Sequence, residues 1–199
     1  MFTLGPKLDI ITEGANAVNW NRPTVFAANH ISAMDIPLLY AGLPTSFRIV
    51  AKKELFRLPF LGWHLRRSGQ IAVDASNARA SFRSLHRAVA AIQHGHPVVI
   101  FPEGGRSPSG ELLPFRSGPF YLAIKAQVPV TPIAIIGTYE MLPMNTYHVM
   151  PRPLKLVVGA PIPIDGYTLR DLDKLGAKVE AAIRELYQRN LGGSASPPT

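Results

Sequence analysis

Seven short strand-like runs are spread along this 199-residue chain, and segments of helical periodicity fill the intervals between them. The runs lie at residues 9–13, 24–28, 47–51, 70–73, 97–101, 130–136 and 155–159. Such alternation specifies an α/β fold: a mixed, largely parallel central sheet of about seven strands covered by helices. Residues 77–94 set Ala78, Phe82, Leu85, Val89 and Ile92 on one helical face, and residues 169–191 do the same with Leu172, Leu175, Val179, Ala182 and Leu186. Gly192 and Gly193 then stop the last helix, so residues 1–191 are expected to form one domain and 192–199 a disordered tail. The most apolar stretch, 119–138, is divided by Pro129 and Pro132 into a short helix and a buried strand.

Composition narrows the chemistry. Without cysteine there are no disulfides, thiolate nucleophiles or Cys-ligated zinc, which leaves oxygen and nitrogen chemistry. Lys and Arg number 21 against 13 Asp and Glu, and the net charge of +8 favours an anionic partner: a membrane surface, a phosphorylated substrate or nucleic acid. No basic patch interleaved with aromatics and no nucleic-acid motif accompanies that charge, so no nucleic-acid partner is expected. No signal peptide and no run of 18 or more apolar residues is recognisable, so the expected location is cytoplasmic or peripheral to a membrane.

Two segments carry candidate chemistry. The first, Asn29-His30-Ile31-Ser32-Ala33-Met34-Asp35, begins just past the carboxyl end of a predicted strand, where open α/β sheets place ligand sites. A neutral histidine there can take a proton from a hydroxyl, and a carboxylate five positions on can fix its tautomer. A second reading stands beside that one: Ser32 or Asp35 caps a helix starting near Pro37, with the cap nearer Asp35 because proline is tolerated only in a first turn.

The second segment, Phe101-Pro102-Glu103-Gly104-Gly105-Arg106-Ser107, also follows a predicted strand. Its glycines allow close approach of a ligand and Arg106 offers a fork suited to phosphate, so it reads either as an anion clamp or as a solvated turn. It lacks the Gly-Lys-Ser/Thr of a nucleotide-hydrolysing loop. His94-Gly95-His96 reads as a turn before a strand, and no metal site is expected. A nucleophile-elbow hydrolase is set aside because no Gly-x-Ser-x-Gly occurs.

Taken together and in this order, Asn-His-x-Ser-x-x-Asp and Phe-Pro-Glu-Gly-Gly-Arg-Ser resemble the paired motifs of the glycerolipid acyltransferase family, the lysophosphatidic acid acyltransferases and their relatives. The likeness covers about residues 9–165; Lys52-Lys53-Glu54-Leu55-Phe56 with Pro59-Phe60-Leu61-Gly62-Trp63 resembles the family's linker, and Val128-Pro129-Val130-Thr131-Pro132-Ile133 its fourth motif. The resemblance implies transfer of a fatty acyl group from acyl-CoA or acyl-carrier protein to a lysolipid hydroxyl, with no cofactor beyond that co-substrate. It implies His30 as general base, Asp35 as the group orienting it, and Glu103, Gly104, Gly105, Arg106 and Ser107 as acceptor ligands. Where family members commonly carry a phosphate-binding arginine, this chain has Ala75 after Asp74, so three readings stand: 1-acylglycerol-3-phosphate as acceptor with Arg79, or the pair Arg66 and Arg67, as replacement; a different lysolipid or non-phosphate acceptor; or a family member that binds lipid without turnover.

A lysolipid acceptor further implies an anionic membrane surface as partner and a peripheral position on the cytoplasmic face. Residues 55–67 mix Leu55, Phe56, Leu58, Phe60, Leu61, Trp63 and Leu65 with Arg57, Arg66 and Arg67, and read either as an interfacial patch or as an ordinary core segment. Arg79, Arg83 and Arg87, spaced four apart, read as a solvated helix face.

Overall fold

The computed structural model describes residues 8–12, 18–74 and 78–191, without the side chains of 8–12, 78, 79 and 81. Glu13, Ala75, the Arg79 side chain and the expected tail at 192–199 therefore lie outside the described residues. The elements run β1 (Leu8–Thr12), β2 (Val25–Ala28), α1 (Asp35–Gly42), β3 (Arg48–Lys52), α2 (Leu61–Arg67), β4 (Ile71–Val73), α3 (Ala78–Gln93), β5 (Val98–Ile100), α4 (Tyr121–Ala126), β6 (Val130–Ile136), α5 (Thr138–Met141), β7 (Leu154–Val158) and α6 (Leu172–Leu191). All seven predicted strands are present, and they form one sheet in the order β1-β7-β6-β2-β5-β3-β4. Every neighbouring pair is parallel except β6 with β7.

Period-two burial explains why the sheet is covered on both faces. On β2, Val25 and Ala27 join one core cluster while Phe26 and Ala28 join another, and on β5 Val98 and Ile100 part from Val99 in the same way. The first cluster takes Ala88 and Ile92 of α3, Leu122 of α4, and Leu175, Val179 and Ile183 of α6; the second takes Leu38 and Leu39 of α1. A fully buried side chain of this size stabilises by roughly 1.5–3 kcal/mol, so α6 is held chiefly by Leu175, Val179 and Ile183. Pro132 is tolerated inside β6 because its nitrogen faces the β7 side beyond the paired residues, whose ladder begins at Ile133 with Val158.

One helical face and one helix start differ from expectation. Phe82 is exposed, packed edge-on against His86, and the buried face of α3 runs instead through Ala80, Ser84, Ala88, Val89 and Ile92. The last helix begins at Leu172 because Thr168 donates its N–H and hydroxyl to Asp171, which turns residues 168–171 into a separate bend. His94 lies in the turn after α3, its Nδ1 on the Ala90 carbonyl, and Gly95 takes the positive φ that the turn needs.

The topology delivers β2, β5 and β6 side by side and parallel, so the residues following all three emerge on one edge of the sheet. Those residues are His30, Glu103 and Thr138.

Candidate active site

Asn29 is where the chain leaves the sheet. Its side-chain amide donates to the Ile135 carbonyl at 2.9 Å and accepts the Ile135 N–H at 2.7 Å, so it serves as one more rung of the β2–β6 ladder. The main chain is thereby free to turn outward at the next residue, and His30 projects from the edge with its side chain 16% exposed.

The imidazole is fixed from two directions. Nδ1 lies 2.7 Å from Asp35 Oδ2, and the ring stacks on Phe101 with centroids 4.1 Å apart. The same Oδ2 accepts the N–H groups of Ile31 and Ser32 at 2.8 and 2.9 Å, while Oδ1 accepts the Thr138 hydroxyl at 2.6 Å. A carboxylate surrounded by donors can only accept, so Nδ1 carries a proton and Nε2 keeps its lone pair free for chemistry.

This geometry replaces the expected cap. Asp35 is the first residue of α1, not the residue before it, and its carboxylate reaches back to Ile31 and Ser32 rather than forward into the helix. Pro37 falls in the first turn, as expected. Ser32 donates to the Leu142 carbonyl and accepts the Met34 N–H, which closes the bend between His30 and α1.

The second segment grips the peptide of His30. Glu103 Oε1 accepts the His30 N–H at 2.7 Å, and the Ser107 N–H donates to the His30 carbonyl at 2.9 Å. Glu103 Oε2 accepts the Leu113 N–H at 3.0 Å, so both oxygens of a carboxylate that is only 4% exposed are occupied within the protein. Burial raises the Glu103 carboxyl to about 7, against the opposing pull of its two backbone hydrogen bonds; Asp35 adds to the rise and Arg184 offsets part of it. Ser107 is likewise fully buried, whereas Gly104 and Arg106 are exposed and Gly105 half-buried.

Arg116 is a residue that the sequence reading missed. Its N–H donates to the Pro102 carbonyl at 2.9 Å, and its guanidinium lies over Gly104, whose φ is +77°. A Cβ at Gly104 would come within 2.9 Å of Arg116 Nε, which the flexible arginine can relieve by shifting, so glycine is favoured there by its backbone conformation. Segment 112–116 is itself tied to α6, because Glu180 accepts the Phe115 N–H and Arg184 donates to the Leu112 carbonyl. Thr138 and Phe101 were also missed as parts of the site. Phe101 stood in the motif but read only as the end of a strand, and nothing in the sequence near Thr138 points to Asp35.

The acyltransferase family model matches residues 9–136, which include both motifs. The chain belongs to the acyltransferase family. Among this family's members, 1-acyl-sn-glycerol-3-phosphate acyltransferases of Limnanthes alba and Saccharomyces cerevisiae are 33% and 31% identical to it, across 87% and 89% of this chain and 60% and 61% of theirs. The chain thus spans about three fifths of the length of these relatives. The crystal structure of the 1-acyl-sn-glycerophosphate (LPA) acyltransferase PlsC from Thermotoga maritima superposes with a TM-score of 0.79 at 30% identity, covering 95% of this chain and 74% of that one.

Proposed function

We propose that this chain transfers a fatty acyl group from acyl-CoA or acyl-carrier protein to the free hydroxyl of a lysophospholipid, with 1-acylglycerol-3-phosphate as acceptor and His30 as general base. The reading is supported above all by the His30–Asp35 pair, which leaves Nε2 as the unoccupied face of a partly exposed imidazole. The acceptor class is the one for which the relatives, 1-acyl-sn-glycerol-3-phosphate acyltransferases, are named.

In this mechanism His30 Nε2 takes the proton of the acceptor hydroxyl as its oxygen attacks the thioester carbonyl carbon. Asp35 stabilises the imidazolium that forms, as a carboxylate hydrogen-bonded to Nδ1–H does in hydrolytic triads. Collapse of the tetrahedral intermediate breaks the carbon–sulfur bond, and the departing thiolate recovers the proton from the imidazolium. No acyl-enzyme forms, and no cofactor is needed beyond the thioester.

Acceptor binding falls to the turn beside His30. Arg106 and Arg116 offer exposed guanidinium groups suited to phosphate, Gly104 and Gly105 allow its approach, and Glu103 and Ser107 act by holding the His30 peptide. Arg79 belongs to the first turn of α3, which follows the β4 end of this same sheet edge, and stands as a further phosphate ligand. The protein would work as a peripheral enzyme on the cytoplasmic face of a membrane; no helix among the described residues is long and apolar enough to cross one.

The test is thiol release from acyl-CoA against a panel containing 1-acylglycerol-3-phosphate, other lysophospholipids and a phosphate-free monoacylglycerol, with products identified by mass. Phosphatidic acid formed from 1-acylglycerol-3-phosphate at the highest kcat/KM is the expected result. Equal turnover of the phosphate-free acceptor would overturn the phosphate clamp, and no turnover on any lysolipid would overturn the function.

A further inference from the structure

After β3 the chain makes a 3₁₀ turn over Lys53–Arg57 and enters α2 through a tight reversal at Phe60. The Leu61 N–H donates to the Pro59 carbonyl at 2.5 Å and Phe60 takes φ 58° and ψ −57°, a γ-turn of the positive-φ kind that is rare for a residue bearing a Cβ. The ring at this apex is 89% exposed, and Trp63, one turn into α2, is 61% exposed. Leu58 and Leu61 beside them are exposed as well, so four large apolar side chains crowd one convex tip. The core reading of this segment holds only for Leu65, which is buried; Leu55 and Phe56 are half-buried.

The tip is built to keep its shape. Gly62 sits so close to the Phe56 carbonyl that a Cβ would collide with it, and Arg66 donates to that same carbonyl, which locks α2 against the 3₁₀ turn. The Gly62 N–H bonds the Leu58 carbonyl and the His64 N–H bonds that of Phe60. Along residues 52–67 the exposed cations Lys52, Arg57, Arg66 and Arg67 outnumber that segment's one anion, Glu54, and Arg67 lies 5.3 Å above the Trp63 ring.

We infer that this tip, residues 57–67, is a wedge that inserts into an anionic lipid bilayer. Apolar rings at the apex with arginines set around them match the layered interface of such a membrane, hydrocarbon below and anionic headgroups above. A convex apex suits a fluid surface that yields around it, whereas a folded protein partner would need a matching hollow. The wedge follows β3, and β3, β5 and β2 are parallel neighbours, so it emerges on the same edge as His30. Two strand spacings of ~4.8 Å separate the ends of β2 and β3, about 10 Å in all. Insertion there would bring the acceptor's layer to the imidazole, a consequence that rests on the lysolipid reading above.

The experiment is flotation of the whole chain with phosphatidylcholine vesicles, with and without about one third phosphatidylglycerol. Trp63 emission is read in a Trp20→Phe background. Phe60→Gly relieves the positive φ and Trp63→Ser removes the second ring, so the double variant folds while losing the apex. The expected results are a blue shift of Trp63 on anionic vesicles and a loss of at least about tenfold in vesicle partitioning by the double variant. Its turnover of a short-chain, water-soluble lysolipid below its aggregation limit should stay within about twofold of the parent. Unchanged partitioning by the double variant, or unshifted Trp63 emission, overturns the wedge. So does loss of binding to an acidic acyl-carrier protein with vesicle binding intact. A parent that binds vesicles through this tip yet turns over nothing would sink the acyltransferase reading and leave the wedge standing.

Discussion

Replacing Asp35 by asparagine separates orientation of His30 from stabilisation of its charge. Three donors converge on Oδ2 and one hydroxyl meets Oδ1, so an amide has one acceptable pose, its oxygen toward His30, Ile31 and Ser32 and its NH2 toward Thr138. The Thr138 hydroxyl can rotate to accept, so the His30, Ile31 and Ser32 donors stay satisfied while the Thr138 O–H gives up the acceptor that Oδ1 supplied. What disappears is the negative charge beside the imidazolium. At an effective dielectric of about 20, two unit charges about 4 Å apart attract by roughly 4 kcal/mol, which corresponds to about a thousandfold in kcat. Asp35→Ala is the wrong probe, since it strands the Ile31 and Ser32 N–H groups at about 1–3 kcal/mol each and tests folding instead. In initial-rate assays of thiol release, Asp35→Asn should lose about 10³ in kcat with acceptor KM changed less than about threefold, and melt as a folded protein. A folded Asp35→Asn enzyme within tenfold of the parent kcat would refute the paired-base reasoning.

Arg106→Ala and Arg116→Ala should each raise acceptor KM about tenfold or more while leaving the acyl-CoA KM near its parent value, as loss of a charge-assisted phosphate contact requires; if neither moves acceptor KM, the clamp is elsewhere. Glu103 has a folded-state pKa raised from 4.5 to about 7, so between those values the folded state holds more protons than the unfolded one. Its contribution to stability is full at the acid end and is lost as pH rises through about 7, and thermal melts across that range should show a fall that Glu103→Gln lacks; an identical profile in the variant counts against the assignment. Asn29→Ala strands the buried N–H and carbonyl of Ile135 and should cost about 2–4 kcal/mol in urea unfolding, whereas an unmoved midpoint would show that the extra rung contributes nothing.

The sheet was legible because short apolar runs bounded by glycine and proline leave little choice of element, and the pairing of His30 with Asp35 because one short turn after a strand carries the chain from the first to the second. What escaped was whatever depends on three-dimensional return. Thr138 reaches Asp35 only because β6 lies beside β2, and no local pattern encodes that pairing. Glu103 reads as an acceptor ligand through the family resemblance and as a solvated side chain by its glycine turn; its turn to the His30 peptide follows from β5 lying on the other side of β2. Arg116 stood outside the motif in sequence and joined it through two N–H donors of its segment, Leu113 to the Glu103 carboxylate and Arg116 to the Pro102 carbonyl. Phe82 fitted a helical stripe yet lies at its margin, where periodicity counts the side chain and packing does not use it.

Everything proposed for this site turns on Nε2 of His30 acting as the base. His30→Gln keeps a side chain of similar length and removes the imidazole, and its kcat for thiol release from acyl-CoA with 1-acylglycerol-3-phosphate should fall by ~10²–10⁴ while the protein still binds acceptor. A folded His30→Gln enzyme turning over within tenfold of the parent would contradict it.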